Sequence, residues 1–430
     1  MYQCAWDNKG PMLLLPNALG WWLMGVHGPG LVMMLMGLVS VALFHRIATL
    51  LVSGCPAAWA TLLYSAALVG NTAAVNYNSQ EWAAVFFILL GVYSLLKTGR
   101  AVGSFVLGVC VGCLVLIKAN LVSVGAAALA LWIVEILSHK KSWKELSLCV
   151  GWSFTGFAGL LGLVTGVFAL YGAAYDMWDA TLFFGLFEYC KSDESWFAWA
   201  MNFWGEWHRE EWVVLHYVTL LMLATCGLIA LLRRRDGRMV VFFAVWVTFD
   251  LLMTFGFKTF YNHYLVVSYP ELCLLFACAI EAFAARRFLR LVCVVFVVAS
   301  FSIFIAYGFV GVKSNNLQNL DLKRIEAWMD ENISAESQIA FGGGSYTSEI
   351  AVRTKAYCPQ KYFNAAMNYF FAGKKRRGEI VAELSDVLSR GYVKYLVVGD
   401  IERFVSWSGL ESIRDLPRVK VGGATFIRLR

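Results

Sequence analysis

Apolar runs long enough to cross a bilayer recur along most of this chain, and they leave few folds open to it. A transmembrane helix needs about 17–25 predominantly apolar residues. Hydropathy marks about ten runs, at roughly 30–50, 57–75, 82–96, 104–118, 121–137, 148–171, 212–232, 240–257, 264–284 and 291–311. The runs at 82–96 and 104–118 are short for a full crossing, so their edges are soft. Composition agrees, with 59% hydrophobic and only 15% charged residues, against about 25% charged in a soluble domain. The expected fold class is a mainly α, polytopic helical membrane protein. Leu13 to Gly25 holds Pro16 and two tryptophans between glycines, which suits a helix lying in the membrane interface.

The net charge of +7 sits in short connections rather than in one basic face, so it does not point to nucleic acid. Arg46, Lys97 with Arg100, His139-Lys140-Lys141 with Lys144, Arg233-Arg234-Arg235 with Arg238, and Arg286-Arg287 with Arg290 fall at alternate connections. With ten spans all five lie in the cytoplasm together, as the positive-inside rule requires. The remaining connections then lie outside: 1–29, 76–81, the turn at Lys118-Ala119-Asn120, the long loop 172–211, and 258–263. The expected location is the plasma membrane, multi-pass, with the active face and the C-terminal part extracytoplasmic. Of eleven cysteines most sit in apolar segments and behave as small hydrophobes. Cys110 and Cys113 form a C-x-x-C without a second pair, which argues against zinc. Cys4, Cys190 and Cys358 fall in outer regions, where a disulfide among them is open.

After residue 312 the pattern changes. Leu320 to Asn332 has helical periodicity, Gln338 to Gly342 and Tyr395 to Val398 are apolar runs of strand length, Gly378 to Arg390 is amphipathic, and Thr425 to Leu429 is a final strand. The expected organisation is a transmembrane core over 1–312 and a small extracytoplasmic α/β domain over 313–430. Gly342-Gly343-Gly344 lacks the lysine-serine or the G-x-G-x-x-G frame of a phosphate loop and reads as a turn.

Chemistry-bearing residues concentrate on the expected outer face. Asp7-Asn8-Lys9-Gly10-Pro11 offers a compact cation for a phosphate beside a carboxylate, in a turn that enters an apolar run. Asn76 to Trp82 (NYNSQEW) ends at a helix start, where Glu81 suits the dipole and where Asn76 and Glu81 also suit sugar hydroxyls. Lys118 and Asn120 flank a membrane-edge turn, where a lysine either snorkels or meets an anionic lipid head. Tyr261, His263 and Tyr264 form an aromatic-His mouth that could orient a phosphate or serve as an interfacial hydrogen-bonding group. Loop 172–211 is rich in tryptophan, tyrosine and acids, which fits an aromatic belt and also sugar stacking.

Together these segments resemble the GT-C class of polyprenyl-phosphate-dependent glycosyltransferases, family 39. The likeness is to the branch of protein O-mannosyltransferases and lipid A aminoarabinose transferases. Asp7 to Pro11 with the following Leu-Leu-Leu-Pro resembles that family's lysine-proline motif, and Asn76 to Trp82 its second polar loop. Leu116-Ile117-Lys118-Ala119-Asn120 is similar to its Lys-x-Asn turn, and Tyr261 to Pro270 to its aromatic-His-Tyr segment. The resemblance covers most of 1–310. It implies a hexosyl or pentosyl transferase that takes a polyprenyl-phosphate-linked sugar, amid membrane lipids, to a cell-envelope acceptor. A carboxylate deprotonates the acceptor hydroxyl, which attacks the anomeric carbon, and the lipid phosphate leaves. Lys9 is then the leading phosphate contact, Lys118 and His263 further ones, and Asp7 a secondary carboxylate. The resemblance fixes no cofactor; a divalent metal is left open, with Asp7 or His263 as its candidate ligand. The family's principal carboxylate precedes the lysine-proline motif, whereas Met1 lies six residues before Asp7. An upstream helix is therefore expected before Met1, the alternative being an inactive relative with a role in envelope assembly. A transporter or flippase is the other class, and it would show ionisable groups in mid-membrane, of which Asp250 is the obvious one.

Overall fold

The computed structural model describes residues 11–25, 28–73, 80–118, 121–139, 142–188, 211–255, 262–284, 286–334, 337–343 and 374–429. Their helices run α1 (Pro11–Met24), α2 (Gly28–Leu51), α3 (Gly54–Ala73), α4 (Gln80–Lys97), α5 (Arg100–Ile117), α6 (Ser123–Leu137), α7 (Trp143–Leu170), α8 (Ala174–Trp178), α9 (Glu211–Arg233), α10 (Gly237–Phe255), α11 (Tyr269–Ala282) and α12 (Arg287–Asn332). A π-helical segment, Asp179–Glu188, follows α8, and a 3₁₀ turn, Asn262–Ser268, leads into α11. Strands and short helices complete the chain: β1 (Gln338–Gly343), α13 (Lys374–Ser389), β2 (Val393–Val398), α14 (Ile401–Ser408), β3 (Arg418–Val421) and β4 (Ala424–Arg428). Two compact units emerge. A helical unit spans Lys9–Val167 and Glu194–Val312, and Phe168–Asp193 groups with Lys313–Arg430 in the other.

Each apolar run read from the sequence coincides with a helix, because in hydrocarbon a helix satisfies its own backbone. Six of these helices are long and apolar enough to cross a membrane by length and composition: Gly28–Leu51, Arg100–Ile117, Trp143–Leu170, Leu215–Arg233, Leu265–Ala282 and Arg287–Ala306. The chain is an integral membrane protein. Its apolar side chains face outward on these helices, among them Phe154, Leu163, Met222, Phe288 and Val295. So much exposed apolar area on helices of spanning length suits a lipid surface. Leu13 to Gly25 is helical as α1, with Trp21, Trp22 and Leu23 exposed.

The basic connections tie helix ends together. In the turn between α2 and α3 the Ser53 N–H donates to Glu281 Oε1 at 2.8 Å, and Arg234 after α9 pairs with the same carboxylate. Arg238 at the start of α10 reaches Glu135 near the end of α6 at 3.3 Å, and Arg100 at the start of α5 pairs with Glu145 in α7. Helix α7 opens on a capping box: the Ser142 N–H donates to Glu145 Oε2 at 2.8 Å and the Glu145 N–H to Ser142 Oγ at 3.3 Å. These arginine-bearing turns share one end of the helical unit. Following α4, α6 and α11 back from that end, and α5 and α10 forward, leads to the opposite end. There lie the start of α4, the turn between α5 and α6, and the 262–268 turn.

In the second unit the sheet order is β1-β2-β4-β3, with β1 and β2 parallel and the other two pairs antiparallel. Strand alternation sends Ile339, Phe341, Val397 and Phe426 onto one face, where Leu322, Ile325, Met329 and Ile333 pack on them. The Trp328 ring lies 4.4 Å from that of Phe426. On the other face Gly342 leaves room for the Phe404 ring, which a Cβ would meet at 2.4 Å.

Close packing in the helical unit rests on small residues at crossings. A Cβ at Gly227 in α9 would come within 1.9 Å of the Leu275 carbonyl oxygen in α11. Gly227→Val is expected to cost about 1–3 kcal/mol through overpacking and to lower the melting temperature in detergent by several degrees. Glu281→Ala removes a half-exposed ion pair, so its cost is expected at about 0–1 kcal/mol. Thermal unfolding of both variants checks the ranking, and an equal or larger loss for Glu281→Ala would reverse it.

Candidate functional site

Of the residues singled out from the sequence, Asp7, Lys9, Asn76, Asn120 and Tyr261 lie outside the described residues. His263 and Tyr264 fall on the backbone of the 262–268 turn, with their side chains outside the description. Glu81 and Lys118 are described with their surroundings. Glu81 stands in the first turn of α4 and is 2% exposed, so it is a buried acid rather than a solvated cap. Next to it Trp82 lies against α2, whose Gly37 would carry a Cβ within 2.7 Å of the indole. Lys118 is the half-buried residue that ends α5. Its N–H donates to the Leu114 carbonyl at 2.8 Å, and its own carbonyl accepts from the Leu121 N–H at 3.0 Å. That turn reverses the chain into α6.

The 262–268 turn is the hinge of this end of the bundle. It packs against α3, α4, α10 and α11, so Glu81 and the backbone of His263 belong to neighbouring elements. Its last residue, Ser268, is buried and donates to the Leu265 carbonyl at 2.9 Å. The Tyr217 hydroxyl of α9 lies 2.8 Å from Ser268 Oγ and, with the serine proton so committed, is the donor. Pro270 follows in the first turn of α11, where its missing N–H costs nothing.

Beneath the turn is a polar cluster within the apolar bundle. Asp250 in α10 is 3% exposed, and Glu271, two residues into α11, is 0% exposed. Asp250 faces Glu271, Ser123 at the start of α6, and Trp246 one turn earlier on its own helix. Tyr64 of α3 and Tyr217 of α9 lie near Glu271. These groups approach without closing hydrogen bonds of normal geometry: Asp250 Oδ2, both Glu271 oxygens, Ser123 Oγ, Trp246 Nε1 and the Tyr64 hydroxyl have no partner. Close by, His216 Nδ1 is 2.9 Å from Ser300 Oγ. Ser300 itself donates to the Phe296 carbonyl at 2.7 Å, which assigns the ring proton to Nδ1. The imidazole stacks on Phe296 at 5.2 Å.

Asp250 was visible in the sequence as a mid-span acid. Glu271 was not, because Pro-Glu after an aromatic run looks like an ordinary helix start. Among the described residues no group of three or more His, Cys, Asp or Glu converges on one point. Among the described residues eight cysteines are free thiols, Cys110 and Cys113 among them and both buried, while Cys4, Cys190 and Cys358 lie outside the described residues.

No family model matches the chain, and no curated protein does either. Solved structures do. ArnT from Cupriavidus metallidurans bound to undecaprenyl phosphate aligns with a TM-score of 0.64 at 11% identity, covering 100% of this chain and 89% of that one. Its apo form aligns at 0.62 and 13% identity, with the same coverage. The Archaeoglobus fulgidus oligosaccharyltransferase, in complex with Zn and sulfate, aligns at 0.51 and 12% identity over 94% of this chain and 61% of that one. The chain therefore has a GT-C-like fold.

Tyr217→Phe removes the donor that holds Ser268. It is expected to cost about 1 kcal/mol and to speed amide exchange across 262–268 without affecting the arginine-bearing end. Hydrogen exchange with peptide mapping checks this, and unchanged exchange in the turn would contradict it.

Proposed function

We propose that this chain is an integral-membrane glycosyltransferase that moves a sugar from a polyprenyl-phosphate donor to a cell-envelope acceptor. The carrying observation is the likeness along the whole chain to ArnT in a structure that holds undecaprenyl phosphate. A second support is the grouping of Glu81, Lys118 and the 262–268 turn at the end of the bundle away from the arginines. By the positive-inside rule that end is extracytoplasmic. In this reading residues 1–312 form the catalytic core and 313–430 an extracytoplasmic domain.

In the proposed reaction an acceptor hydroxyl gives its proton to a carboxylate base. The acceptor oxygen bonds to the anomeric carbon as the bond from that carbon to the phosphate oxygen breaks, and the electron pair leaves with the lipid phosphate. Two negative charges then sit on that phosphate, so cations fixed around it stabilise the departing group. Lys9 takes that role, helped by Lys118 and His263. Asp7 serves as an auxiliary carboxylate or metal ligand. Asn76, Glu81, Asn120, Tyr261 and Tyr264 contact sugar and head-group hydroxyls. The buried Asp250 and Glu271 favour a second reading, a transporter or flippase that uses mid-membrane acids. Transfer of radiolabelled sugar, rather than movement of intact lipid between leaflets, separates the two.

The test is transfer from a polyprenyl-phosphate sugar in proteoliposomes. Lys9→Ala is expected to lower kcat/KM by about 100-fold or more, in the range for loss of a positioned charge. Lys118→Ala is expected to do the same more weakly. Wild-type turnover in both variants would overturn these assignments, and translocation without transfer would favour the second reading.

A further inference from the structure

Asp250 and Glu271 are two acids in the apolar interior, and no arginine or lysine is paired with either among the described residues. Two facing carboxylates left ionised in hydrocarbon would repel one another and each pay full desolvation. The surroundings nevertheless treat Asp250 as an acceptor. The Ser123 hydroxyl and the Trp246 indole N–H, both 0% exposed, are aimed at it from α6 and α10 without forming a closed bond. The Tyr64 hydroxyl, also 0% exposed and unpartnered, lies within electrostatic range of Glu271. Three helices, α6, α10 and α11, thus bring oxygen atoms together at Asp250.

We propose that Asp250 and Glu271 hold a divalent metal cation inside the helix bundle, with Ser123 Oγ as a neutral ligand. Charge selects the valence. Two carboxylates and one divalent ion sum to zero, the state that low-dielectric surroundings favour. The donor set is all oxygen, which selects the hard ions Mg²⁺, Mn²⁺ or Ca²⁺ over zinc or copper. Trp246 cannot ligate, and its N–H keeps Asp250 in the acceptor form that a metal needs. The site lies under the 262–268 turn, so the ion would brace α10 and α11 where that turn enters the bundle. This role is structural, and it stands whether or not the chain transfers sugar.

The experiment uses the full chain in detergent, stripped with EDTA and then titrated with Mn²⁺, Mg²⁺ or Ca²⁺. Binding is read by Mn²⁺ electron paramagnetic resonance and by the melting temperature. Wild type is expected to take up about one Mn²⁺ and to gain about 5 °C at saturation. Asp250→Asn with Glu271→Gln keeps the shape, removes both charges, and is expected to melt independently of metal and to bind no Mn²⁺ at this site. Ser123→Ala is expected to weaken Mn²⁺ binding several-fold in a chain that still folds. A wild-type protein whose melting temperature ignores all three ions would overturn the proposal. So would Mn²⁺ uptake that persists in the double variant. Neither result bears on sugar transfer, which is read separately.

Discussion

A peptide group in hydrocarbon must bond to another peptide group, and this requirement organises the helical unit. It turns every long apolar run into a helix. The cost of desolvating charge in the same medium drives charged side chains to the helix ends, where the arginines of alternate connections meet acids from neighbouring helices. Arg234 with Glu281, Arg238 with Glu135, and Arg100 with Glu145 are modest interactions one by one. Their value lies in arrangement: they fix which helix ends lie together, and so which residues are left to face the other way. Glu81, Lys118 and the 262–268 turn are that remainder.

Against this background the polar cluster stands out. A polar group within the bundle is tolerated where another protein group or a bound ligand satisfies it. Tyr217 with Ser268 meets that condition inside the protein, and His216 meets it at Nδ1 through Ser300. Asp250 Oδ2 and both Glu271 oxygens have no such partner, the condition that the proposed cation would meet. Both lie at the end of the bundle where the proposed donor site sits, and they brace it from below.

Much of this was legible in the sequence for a physical reason. Apolar run length and the alternation of basic connections are one-dimensional signals, so the helices from α2 to α7 and from α9 to α11 follow from them; α8 and the π-helical Asp179–Glu188, in the stretch read as a long loop, and the continuation of α12 to Asn332 do not. The strands at Gln338–Gly343 and Val393–Val398 were likewise visible as short apolar runs. Burial was not. Glu81 read equally as a cap and as a ligand, and only its burial in the folded bundle reveals a buried acid. Glu271 was hidden because its significance depends on Asp250 across a helix interface, a relation that no local pattern encodes. The close approach of α9 to α11 at Gly227 was invisible for the same reason, as a glycine in an apolar run has many uses.

The central claim is that a polyprenyl phosphate docks at the end of the helical unit away from the arginine-bearing turns. A polyprenyl-phosphate analogue with a photoreactive group beside its phosphate tests this most directly, crosslinked in the membrane and mapped by mass spectrometry. The account predicts adducts on the α5–α6 connection and the segment leading into α11, lost when unlabelled polyprenyl phosphate competes. Adducts confined to the turns that carry Arg234, Arg238 and Arg100, or adducts indifferent to competition, would contradict it.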